Sequence, residues 1–553
     1  MRRTILTTLA FFGFAAGAAA QISSTGAAAP RALQLTLDEA VKMALDHNVD
    51  LNVDRLDPQI SDTRVAAAAG AFRPSFNASA QRNNQLQPPS SFLIPTATRY
   101  DVVTSNAGLG QKLPWFGTSY SLGWTTTHTD SNSFLSSYNP LVQSGLSLNV
   151  SQPLIRDLSI DQSRQQLATS RTNRDIADTR LRESVVHTTA NVKSFYWALV
   201  AAIDNVQARQ TAVDLAKELV RVNKAKVDVG QSPPLDLVSA QAEVASNQEQ
   251  LIIAQTTVKQ VEDRLRLLIF DPTERDNWAV KLEPVDSPPV GTVTVDIDAA
   301  VTNALRDRAD ILRARKDIEN SQQNVKYASN QKLPDVRLNA SYLASGLGGT
   351  QVLRTGGFPG TIVGPGNTIG FGSVLNQLFQ RNYPTWAAGV SVSYPIGQSA
   401  EEANYARTKL ERAQTEERLK ATQARAIQQV RDAGWKIEMN AKRTETTRAA
   451  LQLAEQRLDA ERKRFDVGMS TSFLVIQAQR DLAEARTNEL SAVLAYDLAQ
   501  VDFEALQQAG PAGQSSGSSG GSSNGGESAP ASLPPVAAVA PTTSSTAALG
   551  VRP

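Results

Sequence analysis

Apolar and polar residues alternate one by one in two parts of the chain, from Pro74 to Pro153 and from Pro334 to Pro395. In residues 146–151 and 335–342, every second side chain is apolar and the intervening ones are polar. Such alternation predicts strands with one apolar and one polar face. Strands of about ten residues with two such faces suit a barrel with lipid outside and water inside. A soluble sandwich of two sheets is the alternative that this pattern leaves open.

Each alternating region is followed by a long run with the period of a helix. After Pro153 and Pro395, Ala, Gln, Glu and Arg dominate for about 70 residues, with no proline, as far as Gly230 and Gly468. At 1.5 Å per residue, each helix would be on the order of 100 Å long, far more than a compact domain requires. Apolar residues recur at coiled-coil spacing, which predicts lengthwise packing. They are Val213, Val220 and Val227 in the first run, and Leu451, Leu458 and Phe465 in the second.

The two halves of the chain resemble each other, which indicates an internal duplication. Three pairs of segments match: residues 35–51 with 295–311 at a shift of 260, 146–154 with 388–396 at 242, and 227–232 with 465–470 at 238. The first shift also carries Pro74 onto Pro334. We therefore predict two structural repeats, residues 35–270 and 297–508, each with the order helix, strands, long helix, turn and helix.

Two shorter helical segments accompany each long helix. In the first repeat they run from about Asp38 to Gly70 and from Leu235 to Phe270, which is 33 and 36 residues. Because their summed length equals that of one long helix, we predict that they stack end to end beside it. The strands would then lie at one end, and the turns at residues 227–236 and 465–474 would lie at the other.

The two ends of the chain differ from the rest. Residues 1–20 combine two arginines, an apolar run and an A-x-A cleavage signal, which predicts a signal peptide and export. An N-terminal extended segment, residues 21–34, follows. Residues 271–296 are the predicted linker, or equatorial region, between the repeats. Residues 509–553 are rich in Gly, Ser, Ala, Pro and Thr, and this composition predicts a disordered tail.

Charge and composition argue against several functions. The chain has 55 basic and 54 acidic residues, so its net charge of +1 offers nothing to attract nucleic acid. No later stretch reaches the roughly 20 apolar residues of a membrane-spanning helix, and the absence of cysteine excludes disulfides and thiolate metal sites. His47, His128 and His187 have no partner at metal-ligand spacing, and Asp38 and Glu39 suit a helix start. We therefore predict no enzyme activity, no cofactor and no metal site.

Taken together, these features resemble the TolC family of outer-membrane efflux proteins. The resemblance covers residues 35–506 and depends on the duplicated halves and on proline-bounded strands before long helices. An L-x-L-x-x-A-x-x-x-A-L motif opens the first repeat: Leu35, Leu37, Ala40, Ala44 and Leu45. The resemblance implies an α+β membrane protein, in which a trimeric transmembrane β-barrel with about four strands per chain continues into a long periplasmic α-helical coiled-coil barrel.

The resemblance also implies a function. The protein would be the exit duct of a tripartite efflux pump or a type I secretion system, held in the lipid bilayer of the outer membrane with its helices and its tail in the periplasm. It would passively conduct substrate from an inner-membrane transporter and a periplasmic adaptor (membrane fusion) protein. One chain has too few strands for a barrel, which needs about eight, so an oligomer is required, whereas the homotrimer follows from the resemblance alone. A non-conducting, periplasm-spanning structural or adhesin-like coiled coil is the alternative.

The resemblance assigns roles to the two turns. They would form the adaptor-docking tip, with Asp228, Gly230 and Ser232 in the first turn and Asp466, Gly468 and Ser470 in the second. A purely structural explanation is that glycine ends a helix in the left-handed conformation. Family members often carry acidic rings where this chain has Leu474 and Gln477. We therefore expect an aperture formed by Asp236, Ser239, Phe473, Leu474 and Gln477, in which an apolar ring of Leu474 or Phe473 closes the tip and Asp236 supplies cation selectivity.

Several boundaries and segments complete the prediction. The boundaries between strands and helices are expected at Pro74, Pro153, Pro334 and Pro395. Residues 104–128 contain the turn LPWFG between two strand-like stretches, so they either add two barrel strands, giving six per chain, or form an external loop. The glycine-rich run from Gly346 to Gly372 is interpreted as a surface loop, because it lacks the pattern of a phosphate-binding loop.

Overall fold

The computed structural model describes residues 32–89, 96–287, 295–357, 360–397 and 399–511. The predicted signal peptide and nearly all of the predicted tail lie outside these ranges. Within them, none of the helices combines the length and the apolar character that crossing a membrane requires.

In the first half, the described residues as far as Ile269 form five α-helices: α1 (Leu37–His47), α2 (Val49–Asp54), α3 (Leu56–Gly70), α4 (Gln162–Asp228) and α5 (Pro234–Ile269). Thr36 caps α1 in a reciprocal pair with Glu39. At the start of α4, the side chain of Asp161 accepts a hydrogen bond of 2.9 Å from the backbone nitrogen of Arg164. Such caps accept hydrogen bonds from the first backbone N–H groups of a helix, which have no partner within the helix. Polar residues therefore fix where these helices begin.

The helices of the second half follow the same order: α6 (Ile297–Asp307), α7 (Ala309–Gln331), the short α8 (Phe371–Phe379), α9 (Ala400–Asp466) and α10 (Ser472–Gln508). Only α8 has no counterpart among the helices described in the first half. Helices α4 and α9 have 67 residues each, while α5 and α10 have 36 and 37. The two halves therefore carry long helices of the same length and following helices of nearly the same length.

The shorter helices lie one after another along the long helices. Helix α3 packs on the first part of α4, where the side chain of Arg174 is 3.0 Å from that of Asp62. Helix α5 packs on the last part of α4, where the Asn223 side chain donates to the backbone oxygen of Asp236 at 3.2 Å. In the second half, α7 and α10 both pack on α9. This is the end-to-end stacking that the helix lengths predict.

The largest apolar cluster lies where α1, α4 and α5 meet a small parallel sheet of β1 (Ala32–Leu35) and β6 (Lys281–Pro284). Tyr196 of α4 is wholly buried there, and its hydroxyl lies 3.0 Å from the backbone oxygen of Leu35. Apolar side chains from all three helices and from β6 surround it: Val192, Leu199, Ala40, Leu265, Ile269 and Leu282. The cluster fixes the first strand and the ends of the short helices to the middle of α4.

Seven strands form one antiparallel sheet: β2 (Ser75–Gln87), β3 (Thr98–Lys112), β4 (Ser119–Ser131), β5 (Tyr138–Pro153), β7 (Asp335–Thr355), β8 (Thr361–Ile369) and β9 (Pro384–Ser393). Strands β2, β3, β4, β5 and β7 are neighbours in that order. The far edge of β7 pairs with β9 along its first part and with β8 along its last part. The sheet is therefore six strand positions wide, and its edges are β2 and β9.

The register aligns similar side chains into rows across the sheet. An apolar row runs along one face through Phe76, Leu109, Leu122, Leu148, Tyr342 and Trp386. A row of small and polar residues runs along the opposite face through Ser75, Gly110, Ser121, Asn149, Ser341 and Ala387. We call these the apolar face and the polar face. The alternation seen in single strands is thus kept in register across all six positions.

The two ambiguous segments both belong to the sheet. Residues 104–128 lie in β3 and β4, so they form a hairpin within the sheet and not an external loop. The interpretation of Gly346 to Gly372 as a surface loop is wrong, because this run contains the end of β7, all of β8 and the start of α8. Its glycines make room for packing: a Cβ atom on Gly348 would lie 2.4 Å from a methyl carbon of Val374 in α8.

Candidate functional site

The turns after the two long helices have the same backbone structure. Gly230 and Gly468 have φ angles of +73° and +78°, so the left-handed conformation predicted for both is confirmed. The nitrogen of Gly230 donates to the oxygen of Val227 at 2.9 Å, and that of Gly468 donates to the oxygen of Phe465 at 3.2 Å. No atom lies within 4 Å of a Cβ built on either glycine. Side chains at these positions would therefore point into open space.

The two turns are joined to each other by buried polar contacts. The wholly buried side chain of Asn223 donates to the hydroxyl oxygen of Ser472 at 2.6 Å and to the backbone oxygen of Asp236 at 3.2 Å. Lys226 donates to the backbone oxygen of Phe465 at 2.9 Å, and its ammonium lies 3.5 Å from the centre of the Phe465 ring. Helices α4 and α5 form one helical hairpin, and α9 and α10 form a second. These contacts join the ends of the two helical hairpins into a single structure, which we call the tip.

The tip presents apolar side chains to solvent. Val229 and Leu235 of the first hairpin are 68% and 71% exposed, and Met469 and Phe473 of the second are 80% and 69% exposed. Asp228 and Asp466 are also exposed, whereas Ser232 and Ser470 are half-buried, and Ser470 donates to Glu461. A cluster of exposed apolar residues next to acidic ones is typical of a surface that binds another protein. The predicted docking residues lie among these apolar side chains.

The predicted aperture residues occupy the first turns of α5 and α10. Asp236 and Ser239 lie on α5, and Phe473, Leu474 and Gln477 lie on α10. Asn223 is hydrogen-bonded to the starts of both helices and so holds these two turns close together. Phe473 and Leu474 are exposed, and Gln477 donates to Asp481 at 2.9 Å.

An ion pair links α5 and α10 one to two turns further from the tip. Arg480 lies 2.6 Å from Glu243, whose side chain is almost completely buried. The hydrogen bond to Glu243 raises the pKa of the Arg480 guanidinium above its ordinary value. Sequence reasoning did not identify Glu243, Arg480, Asn223 or Lys226. A polar residue within a heptad pattern, as Asn223 is between Val220 and Val227, is the signal that identifies such a buried contact.

The predicted boundary prolines lie between the sheet and the helices. Pro74 and Pro334 directly precede β2 and β7, Pro153 ends β5, and Pro395 follows β9 by two residues. Between Pro153 and α4, Asp157 joins the segments: its backbone nitrogen donates to the side-chain oxygen of Asn330 at 2.7 Å, and its carboxylate is 2.9 Å from Arg337. The ends of β5 and α7 and the start of β7 are therefore held together at this junction.

Around its open cavity, the polar face of the sheet carries uncharged hydrogen-bonding groups. An open cavity on the sheet is lined by Ser121, Asn149, Ser151, Asn339 and Ser341. The hydroxyl of Ser151 lies 2.8 Å from the amide oxygen of Asn339 across the β5–β7 pair. Such a surface attracts water without binding ions of either sign strongly.

The three histidines do not form a chemical site. His128 lies 3.5 Å from Asp130, and burial lowers the pKa of His187 below its ordinary value. Among the described residues, no group of three or more His, Asp or Glu side chains is arranged to hold a metal ion. The notable features of the described chain are therefore a two-faced sheet, two helices of 67 residues and an apolar tip.

Comparison with known proteins gives a family and a fold. The family model "Outer membrane efflux protein" matches residues 96–269 and 300–507. The outer membrane efflux protein BepC of Brucella suis biovar 1 is 25% identical over 471 residues, which are 84% of this chain and 83% of BepC.

Solved structures of outer membrane proteins have a similar fold. The CmeC outer membrane channel of Campylobacter jejuni has a TM-score of 0.60 at 16% identity, with 85% of each chain covered. The outer membrane protein VceC of Vibrio cholerae has a TM-score of 0.60 at 16% identity, with 85% of this chain and 96% of VceC covered.

Proposed function

The chain belongs to the outer membrane efflux protein family, and from this premise we propose that it is the exit duct of a tripartite efflux pump or a type I secretion system. The predicted resemblance, the outer-membrane location and the absence of enzyme activity follow from membership of this family of channel proteins. The duct conducts substrate passively, since an inner-membrane transporter supplies the energy. The type of system it serves and its passive mode of conduction are the parts of this function that we propose.

The observation that carries the proposal is the pair of rows across the sheet. Six neighbouring strands place Phe76, Leu109, Leu122, Leu148, Tyr342 and Trp386 on one face. A barrel requires apolar residues against lipid and polar ones against a water-filled lumen, and the two faces supply both. The alternative, a non-conducting structural or adhesin-like coiled coil, has no lumen and therefore does not require a continuous polar face on these strands.

Beneath the barrel, the long helices form the wall of a periplasmic tunnel. At 1.5 Å per residue, the 67 residues of α4 or α9 span on the order of 100 Å. The equal lengths of α4 and α9 support a duplication with repeats at residues 35–270 and 297–508. A homotrimer would surround one lumen with helices and strands from all three copies.

The tip is the proposed docking site for the periplasmic adaptor protein. Its exposed apolar residues, including Val229 and Met469, lie beside Asp228, Gly230 and Ser232 and beside Asp466, Gly468 and Ser470. We further propose that the aperture at the tip is narrowed by Phe473 and Leu474, with Asp236 giving a modest preference for cations, as a ring of charge does. Ser239 and Gln477 complete this aperture.

Purification from outer membranes and recording in planar bilayers test the proposal. We expect a species that migrates as a trimer on gels, converts to the monomer on heating, and produces discrete conductance steps. A trimer that never conducts would favour the structural coiled coil. A protein found only in soluble periplasmic fractions would contradict both functions.

A further inference from the structure

Among the described residues, both edges of the large sheet are long, have no neighbouring strand and are apolar on one face. Every residue of β2 and every residue of β9 is exposed. On the apolar face, Phe76 of β2 is 72% exposed, and Trp386 and Val392 of β9 are 74% and 67% exposed. Just beyond β9, Ile396 is 98% exposed. Free edges of this kind pair with another chain unless something covers them.

The two edges correspond to two strands that are already paired within the chain. The shift of 242 carries β5 onto β9, and the shift of 260 carries β2 onto β7. Strands β5 and β7 are antiparallel neighbours, with Ser151 opposite Asn339 and Val150 opposite Ala340. The β5–β7 pair, which joins the two halves, is thus a template for pairing β9 of one copy with β2 of another.

Applying the shifts to this template gives a definite register. Ser151 becomes Ser393 and Asn339 becomes Ser79, while Val150 becomes Val392 and Ala340 becomes Ala80. The apolar faces agree, because Val392 belongs to the apolar face through its pairing with Val336, and Ala80 belongs to it with Phe76. The template bond from the nitrogen of Leu154 to the oxygen of Val336, 2.8 Å long, becomes a bond from Ile396 to Phe76 of the next copy. This register would cover the most exposed apolar side chain of the edge.

We propose that β9 of each copy pairs antiparallel with β2 of the next copy, with Ser393 opposite Ser79, and that three copies close a barrel of eighteen strands, six positions from each. The number three comes from the proposed function, on which this inference therefore rests. The register and the six positions come from the sheet of a single chain.

The hairpin of β3 and β4 sets the width of this barrel. With strands about 4.8 Å apart and tilted by about 40°, eighteen strands give a backbone diameter of roughly 35 Å, against roughly 24 Å for twelve. Barrels of 16–18 strands leave an open aqueous channel. The barrel is then wide, and the narrowest part of the path lies at the tip between α5 and α10.

Disulfide cross-linking tests the register. Because the sequence contains no cysteine, only the introduced cysteines can form a disulfide. Because Leu154 and Val336 are a hydrogen-bonded pair, Ser151 and Asn339 are a non-hydrogen-bonded pair, whose Cα atoms lie about 4.5 Å apart and permit a disulfide. The Ser79→Cys/Ser393→Cys variant is oxidised in outer membranes and run on non-reducing gels. We expect covalent dimers and trimers that a reducing agent converts to monomers.

The matched control is Ser79→Cys/Ser391→Cys, which moves one cysteine two residues along the same face of β9. We expect little covalent product from it. Efficient linkage of the control instead of the first pair would overturn the register. If neither pair links while native gels of the wild-type protein show a trimer, the β9–β2 contact is wrong but the proposed function stands. Absence of both the trimer and conductance in the wild-type protein would overturn both.

Labelling of the hairpin tests the strand number. Ser121 and Leu122 are adjacent in β4 and lie on opposite faces. In outer membranes, a water-soluble maleimide should reach Ser121→Cys through the lumen and label it. Leu122→Cys faces lipid, so its rate of labelling should be at least tenfold lower. Equal labelling of the two would show that the hairpin lies outside the barrel wall, and the eighteen-stranded barrel would be wrong.

Discussion

The side-chain amide of Asn223 donates a 2.6 Å hydrogen bond to the hydroxyl oxygen of Ser472, 249 residues further along the chain. The bond is buried, and it connects the end of the first long helix to the start of the last helix. A second bond from the same amide to the backbone of Asp236 includes α5 in the contact. Three helix ends that surround the proposed aperture therefore depend on one side chain.

Replacement of Asn223 by Ala should loosen the tip. It leaves the Ser472 hydroxyl and the Asp236 carbonyl without this partner, at a cost of about 1–3 kcal/mol for buried polar groups. We expect a larger mean single-channel conductance and faster proteolysis in the 227–236 and 465–474 turns. Asn488→Ala, an exposed position on α10, is the control and should leave both measurements unchanged. Wild-type conductance and proteolysis in Asn223→Ala would contradict this role.

Bulky residues at both tip glycines should abolish export without reducing the amount of trimer. The left-handed backbone at Gly230 and Gly468 opposes a Cβ atom, and the space around each is open to a docking protein. Leucine at both positions adds strain and bulk, whereas asparagine accepts the left-handed conformation and adds less bulk. If contact with the adaptor matters, export should fall in the order Gly, Asn, Leu while trimer abundance stays constant. Normal export by the double leucine variant would refute the docking role.

The aperture residues should control conductance and selectivity separately. Leu474→Ala shortens an exposed apolar side chain near the tip and should increase conductance, while Asp236→Ala should lower the preference for cations. Leu453→Ala and Asp214→Ala, both exposed on the long helices, are the matched controls and should do neither. Unchanged conductance and selectivity in both aperture variants would rule out the proposed aperture.

The sequence predicts the regular parts of the fold well, because lipid, water and neighbouring helices each impose a period on it. Alternation at residues 146–151 predicts β5, and seven-residue spacing through Val213 predicts a packed α4. These patterns are local, so they can be recognised before any tertiary contact is known.

The errors concern residues whose role depends on a distant partner. The run from Gly346 to Gly372 lacks the pattern of a phosphate-binding loop and so predicts a surface loop, yet Gly348 is in a strand and makes room for Val374 of α8. Glu243 and Arg480 resemble solvated helix residues until the fold brings them to 2.6 Å. Their partners lie too far along the chain for any local pattern to identify.

Asp497 should make the stability of the helical region depend on pH. Its side chain in α10 is 3% exposed, and one carboxylate oxygen has no hydrogen-bond partner among the described residues. Burial raises its pKa from 3.8 to about 6. The folded protein therefore binds a proton that the unfolded chain releases between these two values. Its contribution to stability is complete below pH 4 and is lost as the pH rises to about 6.

Asp497→Asn removes this dependence because the amide stays neutral at every pH. At pH 7.5 we expect the variant to be more stable by up to about 3 kcal/mol, since each unit of pKa shift corresponds to about 1.4 kcal/mol. At pH 4 the variant and the wild-type protein should have nearly equal melting temperatures. Thermal unfolding of the detergent-solubilised protein at the two pH values measures both, with the exposed Asp466→Asn as a control that should not change the pH dependence. A difference between variant and wild type that is the same at both pH values would mean that the pKa of Asp497 is not raised in the folded protein, contrary to the effect expected from its burial.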